Sequence, residues 1–279
     1  MKKIIYLILA LSLTGGMVYS QDKPVADTSR EKEEEKGIGL DAGLIYFSKY
    51  LWRGSYFYNG DGAFTPYLGY DILKSGLKFN FIAEVSESYI GEGSNDNVNH
   101  TAYANHGLDF GLEYSRSFAE TVSLTLQGWY YWYYNSKHSY ATEFKDASMI
   151  TGTVSLSYDK LPVPAFISYS HDYYMDKNYA KGNQEKDFYI QFGFDNSENG
   201  FELTREVNLG VKLAAAYFYE KSLYRKGISD IEAALFLNFK KGSASLNSGF
   251  HYVIVPTKDF YQGSDIHRFF VTFGAGYSI

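Results

Sequence analysis

The feature that most constrains this chain is a repeated pattern, in which an alternating run of apolar residues ends in an aromatic on the apolar side, just before a turn. The closing aromatics of its six occurrences are Tyr70, Tyr114, Tyr158, Phe194, Phe239 and Tyr277. Residues i, i+2 and i+4 of a β-strand share one face, so each run has one apolar face. Such a face, closed by an aromatic at a fixed depth, is typical of a strand that contacts lipid and meets the headgroups.

This alternation predicts twelve strands from Gly37 onward. The approximate strand cores are 38–52, 63–73, 77–87, 104–115, 121–134, 148–159, 163–174, 187–195, 206–219, 230–240, 244–254 and 267–279. Connections after even-numbered strands are mostly short, and those after odd-numbered strands are mostly longer and rich in Tyr, Gly and Asn. We therefore predict an all-β fold, a transmembrane antiparallel β-barrel with short periplasmic turns and long extracellular loops.

A second set of aromatics supports the same topology. The ascending strands carry outward aromatics near their loop ends, namely Trp52, Tyr89, Trp132, Tyr134, Tyr173, Tyr217, Tyr219 and Tyr252. Aromatic girdles at both interfaces, in the correct strand parity, are expected of an outer-membrane barrel. The barrel is expected to close, because lipid offers no partner to an unpaired backbone group.

Three places depart from the regular pattern. Pro66 cannot donate to a strand ladder, so we expect it near the outer rim at an irregularity such as a bulge. The connection 196–205 is longer than the other short turns, and residues 220–229 are predicted to form one of the long loops.

The N-terminal region is expected to lie outside the barrel. Residues 1–20 are predicted to be a secretory signal peptide, because Lys2 and Lys3 precede the apolar stretch Ile4–Leu13 and a cleavage site follows. Residues 21–36 are predicted to be a charged flexible linker, and residues 37–279 the barrel. The chain has no Cys, which excludes lipoprotein processing and disulfides. No later segment has 18 consecutive apolar residues.

Charge and the C-terminus indicate the partners. Without Lys2 and Lys3, the chain has 24 basic residues against 32 acidic ones, which argues against nucleic acid. The C-terminal alternation of Phe273, Ala275 and Tyr277 looks like the signal that barrel-assembly machinery recognises, although the chain ends in Ile279 rather than Phe. The predicted partners are therefore outer-membrane lipid, the assembly machinery and a small polar solute, and the predicted location is the bacterial outer membrane.

The end of the first strand carries a family resemblance. Tyr50, Arg53, Gly54 and Pro66 match the Tyr-x-x-Arg-Gly motif and later Pro of the Gcw-chp-type family. This is a family of small, uncharacterised bacterial outer-membrane β-barrels. The chain is similar to it over the first two strands and continues with Ser55-Tyr56 where the family has Ser-Gln. The resemblance implies a barrel and no particular substrate.

The inward face holds the residues that could select a solute. By strand parity the charged candidates for the lumen are Lys49, Lys78, Glu84, His106, Asp109, Glu113, Lys212, Glu232 and Arg268, with Asp41, Asp187 and His251 beside them. Both signs of charge occur together with aromatics such as Tyr67, Trp129 and Tyr189. We therefore predict a narrow pore for passive uptake of small polar solutes.

Three other functions are open at this point. The barrel could be a filled structural scaffold, an adhesin-like surface binder with aromatic loops, or a lipid-modifying enzyme. Ser170, His171 and Asp172 are adjacent, so they point to opposite faces of a strand and cannot form a triad among themselves. The six His residues lack ligand spacing on one face, so no metal and no cofactor are predicted. We predict no catalytic residues.

Overall fold

The structure is a computed structural model, and part of the chain is described in it. The described residues are 39–49, 51–53, 55–56, 62–72, 75–86, 106–118, 121–136, 145–174, 186–220, 225–258 and 266–279. The predicted signal peptide and linker lie outside these residues. Among the residues that are described, no helix is long and apolar enough to cross a membrane.

Strands account for nearly all of the described chain. They are β1 (Leu40–Phe47), β2 (Leu51–Trp52), β3 (Ser55–Tyr56), β4 (Ala63–Ile72), β5 (Leu77–Ser86), β6 (His106–Phe118), β7 (Val122–Ser136), β8 (Lys145–Tyr158), β9 (Ala165–Tyr174), β10 (Lys186–Asp195), β11 (Phe201–Thr204), β12 (Val207–Glu220), β13 (Arg225–Lys241), β14 (Ala244–Ile254) and β15 (His267–Ser278). The short strands β2 and β3 pair only with each other, in a separate hairpin.

The twelve long strands form one closed antiparallel barrel, as predicted. Each pairs with its neighbour along the chain, β1 pairs with both β4 and β15, and β10 pairs with β12 across the short strand β11. The strand β11 pairs with the first residues of β12, where Phe201 lies opposite Leu209, and β10 pairs with β12 further along the strand. Each barrel strand thus has a partner on both sides, which is what a hydrocarbon solvent requires.

The outer face of the barrel is apolar. Exposed residues alternate with buried ones along the strands, and they include Phe79, Phe110, Leu213, Leu235, Phe250 and Phe269. Near the short turns Tyr70, Tyr158, Phe194 and Tyr277 are exposed, as the lower girdle predicts. A continuous apolar surface of this size would be unfavourable in water and suits a bilayer. In the upper girdle, the side chains of Trp52, Tyr89 and Tyr134 lie outside the described part.

The predicted strand ends were wrong at two places. The strand β1 ends at Phe47, and the predicted continuation to residue 52 is instead the start of the β2–β3 hairpin. The strand β13 begins at Arg225, so residues 225–229 of the long loop predicted at 220–229 belong to this strand. The reason for the second difference is a β-bulge at Ser229, where the register between β12 and β13 shifts between Ala216 and Tyr217. Alternation along the sequence breaks at such a bulge.

The bulge expected at Pro66 is absent. Pro66 lies within β4 opposite Leu44, and the β4–β5 register is the same before and after it, from Phe64 with Val85 to Tyr67 with Ile82. The β4–β5 ladder has no pairing at Pro66 itself. The missing backbone N–H of Pro66 is therefore accommodated by an interruption of the β4–β5 ladder, and no residue is inserted as in a bulge.

We expect the substitution Leu235→Lys to lower the free energy of unfolding by about 2–4 kcal/mol, because it places a charge on the lipid face near the middle of β13. The measurement is denaturant unfolding of the protein refolded into phospholipid vesicles. The control is Ser155→Lys on the lumen face, for which we expect a much smaller loss. Equal losses for the two variants would contradict the assignment of faces.

Candidate functional site

The inner wall on β8 and β9 carries short hydroxyl side chains. The inward positions there include Thr151, Thr153, Ser155 and Ser157 on β8 and Ser168 and Ser170 on β9, and the larger side chains of Met149 and Phe166 share these faces. Thr153 Oγ1 and Ser170 Oγ lie 2.8 Å apart, in hydrogen-bond contact across the two strands. Side chains of this size reach only a short way into the barrel; Thr151 and Ser170 are buried, whereas Thr153, Ser155, Ser157 and Ser168 are half-buried.

A charged network lies toward the periplasmic end. Lys78 Nζ lies 3.2 Å from Asp41 Oδ2, in an ion pair that reaches across β4. The lysine passes over Gly69, where an added Cβ would lie 2.8 Å from Lys78 Cε and 2.6 Å from Asp41 Oδ2. Glu113 stands opposite Lys78 in the β5–β6 register and accepts a hydrogen bond of 2.8 Å from Gln127 Nε2. The structure therefore brings together two of the predicted lumen residues, Lys78 and Glu113.

A second network joins β12, β13, β14 and β15. Lys212 Nζ and His251 Nδ1 each lie 2.8 Å from an oxygen of Glu232, and His251 Nε2 lies 3.2 Å from Thr272 Oγ1. The imidazole stacks on the Phe270 ring at a centroid distance of 4.2 Å. With both ring nitrogens in contact with fixed partners and one face covered, the side chain of His251 is held in one orientation.

The β2–β3 hairpin inserts its turn into the upper lumen. Arg53, at this turn, has a left-handed backbone with a φ of 50°. Its guanidinium forms a two-pronged ion pair with Asp172 on β9, in which Nη2 donates to Oδ1 at 2.8 Å and Nη1 donates to Oδ2. Thr151 Oγ1 donates to the same carboxylate at 2.7 Å. A hairpin of the first extracellular loop is thereby bonded to the far wall of the barrel.

Aromatic rings hold the same guanidinium from other directions. The Arg53 Cζ atom lies 5.2 Å from the centroid of the Tyr189 ring and 5.3 Å from that of Phe218. Leu51, from the hairpin, packs with Tyr189 against a buried apolar cluster that includes Phe218 and Val253. An enclosed charge with a bidentate carboxylate and cation–π contacts is fixed much more firmly than a surface pair. The hairpin therefore narrows the lumen as a fixed element.

An additional carboxylate, that of Asp230, lies on the inward face of β13 next to the bulge. Ser229 and Asp230 are both buried, although neighbouring residues of a regular strand point to opposite faces. Ser229 Oγ donates to Asp230 Oδ2 at 2.6 Å, and the Tyr189 hydroxyl donates to Asp230 Oδ1 at 3.1 Å. Asp230 thus lies beside the Tyr189 ring that contacts Arg53.

Seven of the nine predicted lumen residues occupy inward strand positions. They are Lys78, Glu84, Asp109, Glu113, Lys212, Glu232 and Arg268. Lys49 follows β1 at its extracellular end and is half-buried. His106 opens β6 three residues before Asp109, which gives it the opposite strand parity, and its side chain lies outside the described part. A role of these residues in solute binding stays a prediction.

Sequence reasoning missed three residues of the lumen. Asp172 shares its face with Ser168 and Ser170, so strand parity could have identified it. Arg53 stands in the motif of the first strand, but its contact with Asp172 spans 119 residues and no local pattern predicts it. Asp230 lies two residues before Glu232 on the same face of β13, so strand parity could have identified it as well. The prediction that Ser170 and Asp172 share one face and His171 takes the other is confirmed by their burial.

Comparison with known proteins identifies the fold. No family model and no curated protein matches the chain. The chain is similar to the COG4313 outer membrane channel from Pseudomonas putida F1, with a TM-score of 0.50, 9% identity, and coverage of 91% of this chain and 100% of the other. It is also similar to the KdgM porin in complex with disordered oligogalacturonate, at a TM-score of 0.48 and 9% identity over 86% of this chain and 98% of that one. The similarity to the NanC porin has a TM-score of 0.48 and 12% identity, over 86% of this chain and 100% of that one.

These comparisons agree with the fold built up from the strands. At such low identity the similarity to the Pseudomonas channel shows the fold alone, which is that of an outer-membrane barrel. Together with the apolar outer face, it makes the chain an integral outer-membrane β-barrel.

We expect Asp172→Asn to release the β2–β3 hairpin, because the substitution removes the charge that binds Arg53. Breaking a buried ion pair from one side costs about 3–5 kcal/mol. The measurement is hydrogen exchange of the backbone amides of residues 51–56 in the refolded protein, for which we expect faster exchange.

The control for this variant is Asp159→Asn. Asp159 accepts hydrogen bonds from Ser123 and Ser157 at the periplasmic end, away from the hairpin. Exchange in the hairpin that stays slow in Asp172→Asn, or accelerates equally in the control, would show that the ion pair does not hold the hairpin.

Proposed function

We propose that this protein is a narrow pore for the passive passage of small polar solutes across the outer membrane. The observation that carries the proposal is the wall of short hydroxyl side chains on β8 and β9, in a closed barrel of twelve strands. The comparisons support the barrel fold, whereas the passage of solutes is inferred from the side chains that line the lumen.

The width of the barrel supports an open lumen. Barrels of about eight strands are just wide enough for side chains to fill, and diameter grows with strand number. Filling a barrel of twelve strands would require large side chains on every wall, whereas Thr153, Ser155 and Ser168 are small. A passage along this wall would be lined by hydroxyls, which suit water and uncharged polar groups.

The inserted hairpin accounts for the narrowness of the proposed pore. Arg53 reaches Asp172, Tyr189 and Phe218, and these three residues lie on three consecutive strands of the barrel wall, β9, β10 and β12. The hairpin therefore occupies part of the extracellular half of the lumen, and solutes would have to pass beside it. This geometry favours solutes of small cross-section.

The other functions receive less support from the described residues. A filled scaffold would not need the hydroxyl wall, and the aromatic loops proposed for surface binding lie largely outside the described residues. In favour of an enzyme, His251 contacts the Thr272 hydroxyl with one ring nitrogen and the Glu232 carboxylate with the other, which is the arrangement of a hydrolase triad. However, the ring of His251 is covered by Phe270, and Glu232 is also bound by Lys212. We interpret this network as fixed lumen charge and propose no catalytic activity.

Single-channel recording in a planar bilayer tests the pore. We expect discrete conductance steps from the refolded protein and a clear reduction in Ser155→Trp, because the indole would occupy the space beside the hydroxyl wall. The matched control is Val154→Trp, in which the neighbouring residue, 45% exposed on the lipid face, receives the same side chain. We expect it to conduct as the original protein does.

Two outcomes would contradict the proposed pore. A correctly folded barrel that gives no conductance steps, with folding checked by its heat-modifiable migration on a gel, would show that the lumen is closed. A reduction of equal size in both tryptophan variants would show that the hydroxyl wall does not line the passage.

A further inference from the structure

The charged side chains of the long strands are distributed unevenly between the two faces of the barrel. On the inward face acidic and basic residues occur together, as in the ion pairs described above. The outward positions whose side chains the structure describes hold no carboxylate, and their basic residues are Arg116, His171, Lys226, Lys241 and His267. The chain as a whole has 26 Lys and Arg against 32 Asp and Glu. The outer face thus differs in charge from the rest of the chain and suits anionic partners.

Two lysines lie near each other at the extracellular end of this face. Lys226 is the second residue of β13, opposite Tyr219 of β12, and its side chain is exposed. Lys258, in the segment that follows β14, is exposed as well. Their chain segments are adjacent, because an added Cβ at Gly227 would lie 2.5 Å from Thr257 Oγ1. Two ammonium groups at the rim of a barrel lie at the depth of the headgroups, where they attract phosphate.

His267, the first residue of β15, adds a hydrogen-bond donor of fixed orientation. Its Nδ1 atom lies 2.7 Å from the Tyr252 hydroxyl, and the two rings stack at a centroid distance of 5.8 Å with an angle of 2°. When the hydroxyl donates to Nδ1, the ring proton is on Nε2, which then donates to an anionic oxygen. His267 is exposed and stands opposite Ile254, the last residue of β14. We call Lys226, Lys258 and His267 the basic rim.

The outer face next to the basic rim is strongly apolar. Phe269 follows His267 on the same face of β15 and is 68% exposed, and Phe250 on β14 is 58% exposed. The Phe269 ring packs on Tyr252 at a centroid distance of 4.6 Å, so it is continuous with the ring that holds the imidazole. A partner that matches both parts has an anionic group at the rim and an apolar part along the wall, which is the chemistry of a phosphorylated lipid.

We propose that the basic rim binds a phosphorylated lipid of the outer leaflet, with its phosphate at the rim and its acyl chains along Phe250 and Phe269. The lysines attract the phosphate through their charge, and the imidazole donates a hydrogen bond to it. The apolar wall adds the burial of the acyl chains, which a free phosphate ion cannot supply. Because the site lies on the outer face, it is independent of conduction through the lumen.

The first test compares two lipids on the unaltered protein. The affinity of the refolded protein in detergent is measured by native mass spectrometry, with diphosphoryl lipid A and with the same lipid after removal of its phosphates. One lysine at an anionic membrane surface contributes about fivefold in affinity. We therefore expect the phosphorylated lipid to bind more tightly by about tenfold or more.

The second test removes the charge of the basic rim. Changing Lys226→Gln together with Lys258→Gln should lower the affinity for diphosphoryl lipid A by about tenfold or more, and Arg at both positions should retain it. His267→Phe keeps the stacked ring without the N–H, so we expect a smaller loss of about threefold. The matched control is Lys240→Gln with Lys241→Gln, which removes the same charge from exposed side chains at the periplasmic end of β13 and should leave the affinity unchanged.

Three results would overturn the proposal. Equal affinities for the two lipids would show that the phosphate is not recognised, and this comparison needs no variant. Equal losses in the two double variants, each with its folding checked by heat-modifiable migration, would show that binding follows net charge and not the basic rim. Release of the bound lipid by excess inorganic phosphate would indicate a site for the ion alone.

Discussion

The absence of hydrogen-bond partners in lipid is the constraint on which the rest of this structure depends. It forces each of the twelve long strands to pair on both sides, and the closing ladder between β10 and β12 meets that demand across an inserted short strand. Once the barrel is closed, each strand has one face toward lipid and one toward the lumen. Most charged side chains within the described barrel strands are therefore on the inside.

The polar interior is organised by ion pairs that cross between strands. Lys78 with Asp41 and Lys212 with Glu232 each join strands of the wall, whereas Arg53 joins a loop to the wall. A buried charge pair contributes little net stability, but breaking it from one side is costly. These pairs therefore determine the shape of the lumen more than they stabilise the barrel.

Strand periodicity predicted the barrel well because the period of a strand is a local property. All twelve long strands, their pairing order and the inward positions of residues such as Lys212 and Arg268 follow from it. It failed where the period itself breaks, as at Ser229, an extra residue that shifts the alternation for the part of β13 before it. It also failed for the β2–β3 hairpin, because the docking of Arg53 depends on residues on β9, β10 and β12 that no local pattern connects to it.

The separation of Arg53 from its partners also has a consequence for the order of assembly. The hairpin lies between the first two long strands, whereas Asp172, Tyr189 and Phe218 belong to strands from the later part of the chain. Contacts of such long sequence separation form late, because the loop between them must close first. The hairpin can therefore dock only when the sheet already extends to β12, so a partly assembled barrel has a wider mouth than the finished one.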